Sequence, residues 1–76
     1  MLTRRNLEKL RVSIHEANCA KNVLHVCESS HTMKQSFDHA RNFMNERKIN
    51  YRVGPVNQRS VILLVGDGGR LEFRVA

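Results

Sequence analysis

Leu7, Leu10, Ile14 and Ala17 recur at steps of three, four and three, which is one stripe of an amphipathic helix. The spacing predicts that helix from about Thr3 to Cys19, with Thr3 as its cap. The opposite side carries Arg4, Arg5, Glu8, Lys9 and Arg11, so the outer face of its first half is basic. After Ala20-Lys21 the period changes to two. Asn22-Val23-Leu24-His25-Val26-Cys27 reads as a strand, with Leu24 and Val26 pointing one way and Val23, His25 and Cys27 the other. Apolar residues on both sides suit a sheet that is covered on both faces.

The helical period returns after the polar break Glu28-Ser29-Ser30-His31-Thr32. Thr32 followed by Gln35 has the form of a capping box, so a second helix should begin near Ser30 to Thr32 and end near Arg47 or Lys48. Met33, Phe37, Ala40 and Met44 form its buried stripe with Phe43 beside it; Lys34, Asp38, Arg41, Asn45 and Glu46 form the wet side, where His39 is also expected to be solvated. Ile49 to Val53 resembles a short strand closed by Gly54-Pro55, and Val56 to Arg59 reads as a loop. The unbroken apolar run Val61-Ile62-Leu63-Leu64-Val65, the turn Gly66-Asp67-Gly68-Gly69 and the alternating run Arg70 to Val75 predict a β-hairpin.

The expected architecture is a small two-layer α+β fold in one domain, residues 1–76. Its order is helix, strand, helix, strand, hairpin, with a mixed sheet of three to four strands packed with two helices. Asn22 to Cys27 should run parallel to one later strand and the hairpin should be antiparallel. The last strand is a candidate sheet edge. An edge with Leu71, Phe73 and Val75 on one side invites pairing with a second copy, giving a homodimer through that strand.

Composition narrows the function classes. Thirteen Lys and Arg against seven Asp and Glu leave a net charge of +6 on seventy-six residues. That balance favours a polyanionic partner, nucleic acid or an acidic protein surface, through long-range attraction that salt weakens. No run of apolar residues is long enough to cross a membrane, and the amino end has no apolar core of the kind that follows a secretory leader's basic residues. Two cysteines, Cys19 and Cys27, are too few to staple a secreted mini-protein, which points to reduced thiols in the cytoplasm.

Lys21-Asn22-Val23-Leu24-His25-Val26-Cys27-Glu28-Ser29-Ser30, followed by a helix with Lys34-Gln35-Ser36-Phe37, resembles the second strand and following helix of phage terminase and helicase-type ATPase domains. In those proteins a hairpin with an Asn/Asp-Gly turn follows, and Val61 to Val75 with Asp67-Gly68 matches it. The resemblance covers residues 21–75. That family hydrolyses ATP on a Gly-x-x-x-x-Gly-Lys-Ser/Thr loop with a later acidic residue for magnesium, and no residue here matches either element. What the resemblance implies is a cut-down relative or mimic that binds nucleic acid or a partner without turnover.

Four candidate chemistries remain. Gly66-Asp67-Gly68-Gly69 is followed by a strand rather than by the helix that a phosphate-binding loop needs, so it reads as a turn. His15 and Cys19 share a side of the first helix and His25 and Cys27 share a face of the first strand. These two pairs are an alternative tetrahedral zinc set, although their spacings match no familiar zinc knuckle; packed thiols and half-buried imidazoles are the ordinary reading, with no metal and no cofactor. Cys27 with His25 or His31 can be drawn as a nucleophilic pair, but nothing in the sequence supplies an oxyanion hole or activates the thiol.

The fourth is nucleic-acid contact through Arg4, Arg5, Lys9 and Arg11 of the first helix and Arg52, Arg59, Arg70 and Arg74 of the sheet region. One tyrosine and no tryptophan leave little for base stacking, so such contact would be to backbone phosphates. The sequence therefore predicts a small, basic, non-catalytic binding protein that contacts nucleic acid through surface arginines. The alternative is a phage-type regulator that binds a protein and inhibits or redirects a host enzyme.

Overall fold

The computed structural model describes residues 2–76. Its elements are α1 (Arg4–Asn18), β1 (Asn22–Cys27), α2 (Ser30–Glu46), β2 (Tyr51–Val56), β3 (Ser60–Val65) and β4 (Gly69–Val75). The strands form one mixed sheet in the order β1-β4-β3-β2, with β1 parallel to β4 and the other two pairs antiparallel.

Both helices start on side-chain caps. Thr3 accepts the Asn6 amide at 3.1 Å as expected. For α2 the cap is Ser29 rather than Thr32: its hydroxyl accepts the Thr32 amide at 3.1 Å, so Thr32 occupies the third helical position instead of starting the helix. Each helix then stops at a residue with left-handed backbone, Ala20 at φ 64° and Lys48 at φ 57°, which redirects the chain toward the sheet.

The register assigns the faces. Val23, His25 and Cys27 stand beside Leu71, Phe73 and Val75, which stand beside Leu63 and Val61, all toward the helices. Leu10, Ile14 and Ala17 of α1 and Met33, Ser36, Ala40 and Met44 of α2 cover them. Phe73 is at the centre, with the Phe37 ring edge-on at 6.4 Å and the His25 ring edge-on at 5.5 Å. Fully burying a side chain of this size contributes roughly 1.5–3 kcal/mol, so this one layer holds most of the stabilising area. Ser36 was not part of the expected stripe, yet it falls three residues after Met33 and four before Ala40 and is buried with them.

Four expectations need correction. The sheet is covered on one face only, so Leu24 and Val26 point away from the helices and remain exposed. The second strand runs on through Gly54 and Pro55 to Val56. It can do so because β2 is an edge strand and its register shifts between Val53 and Val56, where a bulge accommodates proline. The last strand is not an edge: β4 lies between β1 and β3 with both sides hydrogen-bonded, which closes the route to a homodimer through it. Finally, His39 is only half-exposed, and its Nε2 is buried without a hydrogen-bond partner.

Gly69 belongs to β4 rather than to the turn. A Cβ at this position would lie 1.7 Å from the Ala17 carbonyl oxygen, so the end of α1 rests directly on sheet backbone. Only Gly66 and Gly68 need the positive φ of the turn itself, at 56° and 90°. Substituting Gly69→Ala should therefore force α1 off β4 and lower unfolding free energy by about 2–4 kcal/mol, as read from urea denaturation.

Candidate functional site

Two surfaces of the fold carry unusual chemistry. The first is the uncovered sheet face, where Asn22, Leu24 and Val26 of β1 lie beside Arg70, Glu72 and Arg74 of β4, and these beside Leu64, Ile62 and Ser60 of β3. Arg52 of β2 continues the row of Leu64 and Arg70. Glu72 is only 7% exposed although no layer covers it. Its neighbours do the covering: Arg74 Nη2 lies 2.7 Å and Arg70 Nη2 3.4 Å from its two carboxylate oxygens, and Arg74 Nε donates at 2.8 Å. Leu24 and Ile62 flank it across the sheet. A carboxylate removed from water this far depends on those charge-assisted bonds.

The second surface is a groove of about 690 Å³ beside β1. Arg5, Lys9 and Val12 of α1 form one wall, residues 24–28 the floor, and Thr32 and Ser36 of α2 close one end. Val12, 57% exposed, is the apolar side chain of its α1 wall, and its charged lining is mixed, Arg5 and Lys9 together with Glu8 and Glu28. Its inner end holds His25 and Cys27. Burial, and then the nearby Lys9 ammonium, hold the His25 imidazole below its ordinary value. Burial pushes the Cys27 thiol up, and the Ser36 hydroxyl opposes that only partly. A thiol shifted upward is the reverse of an activated nucleophile, and Cys27 Sγ faces the His25 carbonyl at 4.0 Å rather than an imidazole nitrogen.

The eight basic residues expected to form one anion-binding set are divided by the fold. Arg5 and Lys9 come together in the groove. Arg4, on the same helix, lies 4.0 Å from Glu8 with both side chains in solvent, an arrangement worth little. Arg11 lines a smaller hollow of about 260 Å³ between the helices, with His15, Phe43 and Arg47. Arg52, Arg70 and Arg74 are on the opposite, uncovered face of the sheet, where Glu72 engages the last two. Arg59 lies in the turn between β2 and β3 and donates to the Ala76 carbonyl at 2.9 Å. Among the described residues, Arg5, Lys9, Arg11 and Arg52 have no ion-pair partner.

The alternative zinc set does not assemble. His15 faces the hollow between the helices, Cys19 is exposed, and His25 and Cys27 are at the floor of the groove. No group of three metal-ligating side chains converges among the described residues. No helix among them is long and apolar enough to cross a membrane.

The alternation of the last strand puts Glu72 on the same face as Arg70 and Arg74, two residues away on either side, and so predicts surface pairs of little consequence; the structure forms those pairs but buries the carboxylate, which the sequence does not signal. No family model, curated protein or solved structure matches the chain.

Two measurements check these electrostatics. Because the folded protein disfavours protonated His25, its contribution to stability is present above the unfolded histidine value near 6.5 and is lost as pH falls through the lower folded value. The melting temperature should therefore drop between neutral and mildly acid pH, and drop less in His25→Phe, which keeps the ring against Phe73. On the other face, Glu72→Gln should cost about 1–3 kcal/mol in urea denaturation, after discounting for the half-exposed arginines. Arg74→Glu, which sets two carboxylates together, should cost at least as much.

Proposed function

We propose that this chain is a non-catalytic, protein-binding regulator that captures an acidic partner in the groove beside β1. The observation that carries the reading is the closeness, at the β1 edge, of two cations free of ion pairs among the described residues, Arg5 and Lys9 in the groove, to exposed apolar side chains, Val12 in the groove and Leu24 and Val26 on the uncovered face. Phosphate backbones offer charge without apolar surface, whereas a protein segment offers both. The net charge of +6 steers an acidic partner toward the surface, and the exposed apolar side chains on either side of β1 retain it once water is displaced. The upward-shifted Cys27 thiol suits a binding role. Free thiols at Cys19 and Cys27 suit a reducing compartment such as the cytoplasm.

Nucleic-acid contact is the second reading, favoured by the outward run of Arg4, Arg5, Lys9 and Arg11 on α1, all exposed. The sheet arginines add little to it, since Arg70 and Arg74 already hold Glu72.

One comparison separates the readings. Immobilised protein should retain an acidic protein from nuclease-treated lysate, and the double variant Arg5→Glu/Lys9→Glu should lose that binding by roughly tenfold or more. Generic DNA and RNA should bind only weakly at low salt. Tight binding to generic duplex that falls steeply with salt, with no retained protein, would instead select nucleic acid.

A further inference from the structure

Resting on that reading of the groove, we propose that the partner binds as an added strand: an extended segment of alternating acidic and apolar residues pairs with the free edge of β1. β1 is the outermost strand on its side of the sheet. The Lys21 carbonyl accepts the Arg70 amide at 3.0 Å and the Cys27 carbonyl accepts the Ala76 amide at 2.9 Å, so the odd-numbered residues of this stretch bond toward β4. The even-numbered residues Asn22, Leu24 and Val26 consequently direct their amides and carbonyls outward.

Sheets usually guard such a row with proline, a bulge or a charge on the strand. The opposite edge, β2, has two of these devices, Pro55 and the register shift between Val53 and Val56, together with Arg52. β1 has none: its register against β4 is unbroken over six residues, and Asn22 to Cys27 contains neither proline nor Lys, Arg, Asp or Glu. The accessible edge is therefore the one that borders the groove.

The composition of the added strand follows from its two sides. Side chains pointing to the uncovered face would lie beside Leu24 and Val26, which are apolar and exposed. Those pointing to the helix side would enter the groove under Arg5 and Lys9, which have no ion-pair partner among the described residues; of the two carboxylates in the lining, Glu8 lies 4.0 Å from Arg4 and Glu28 is at the end of β1. Successive residues of a strand alternate faces, so the complementary sequence alternates apolar and acidic residues. A second copy of this chain fits less well. Pairing the two outward rows would place its Val23, His25 and Cys27, none of them acidic, on the helix side. It would also join two chains that each carry +6.

The test uses the whole protein and a soluble, end-blocked peptide of about eight residues alternating Glu and Val. A peptide of the same composition with its Glu and Val in separate blocks is the control. By NMR-detected hydrogen exchange, the alternating peptide should protect the Leu24 and Val26 amides about tenfold or more and leave the Val23 and His25 amides, already bonded to β4, unchanged. Val26→Pro removes one outward donor without touching the ladder to β4 and should weaken binding about tenfold. Val26→Lys, which places a guarding charge on the edge, should do the same and serves if the proline variant fails to fold. Equal binding of the block peptide, or binding without protection of Leu24 and Val26, overturns strand addition. If that happens while Arg5→Glu/Lys9→Glu still abolishes capture of an acidic protein, the groove reading survives and only this inference fails. Dimerisation on concentration, with protection of the same amides in the absence of peptide, assigns the edge to a second copy and also overturns it.

Discussion

A shortage of covering material governs this structure. Helices are about 10 Å wide with side chains and strands are spaced about 4.8 Å apart, so two helices span roughly the width of a four-stranded sheet and no more. One face of the sheet can be buried and the other must be water-compatible by its own means. On β4 this is achieved within three residues: Arg70 and Arg74 fold their charge over Glu72, which converts the middle of a bare sheet into a neutralising network with a residual single positive charge. On β1 nothing equivalent exists, and Leu24 and Val26 meet solvent.

The same shortage fixes where the groove opens. At its C-terminal end α1 rests on sheet backbone, with Ala17 over Gly69 of β4 and no side chain between them. Its N-terminal half instead stands beside β1, where Arg5, Lys9 and Val12 form a wall rather than a lid. The helix thus crosses from close contact with a central strand to loose contact with an edge. Its small residue is placed where approach is tightest and its long cations where space is left. Ser36 and Cys27 pack at the inner end of that space, so the groove floor is continuous with the core.

Local patterns made much of this legible before the fold was known. The stripes at Leu7 to Ala17 and Met33 to Met44, the strand at Asn22 to Cys27 and the terminal hairpin all depend on periodicity and glycine placement, and all formed within a residue or two of expectation. The larger failures share one cause. Whether β4 is an edge, whether Gly69 serves a turn or a helix contact, and whether Leu24 is covered are decided by strand order, which no local window contains. The expected eight-residue basic set failed in the same way, because a helix face and a sheet face that look equally basic in sequence became opposite sides of the molecule.

An open apolar edge is a hazard to the protein that carries it, since it can template pairing with any extended chain, including another copy of itself. Here net charge supplies what local guards do not. At +6 per chain, two copies repel before they can pair. The repulsion is selective. It acts on chains of the same sign, so the charge that sets the long-range field also disfavours self-association. β2 needs no such arrangement because proline and a bulge already close it to every strand alike. The two edges of one sheet are thus protected by different physics, one by removing the pairing geometry and the other by long-range repulsion between like-charged chains.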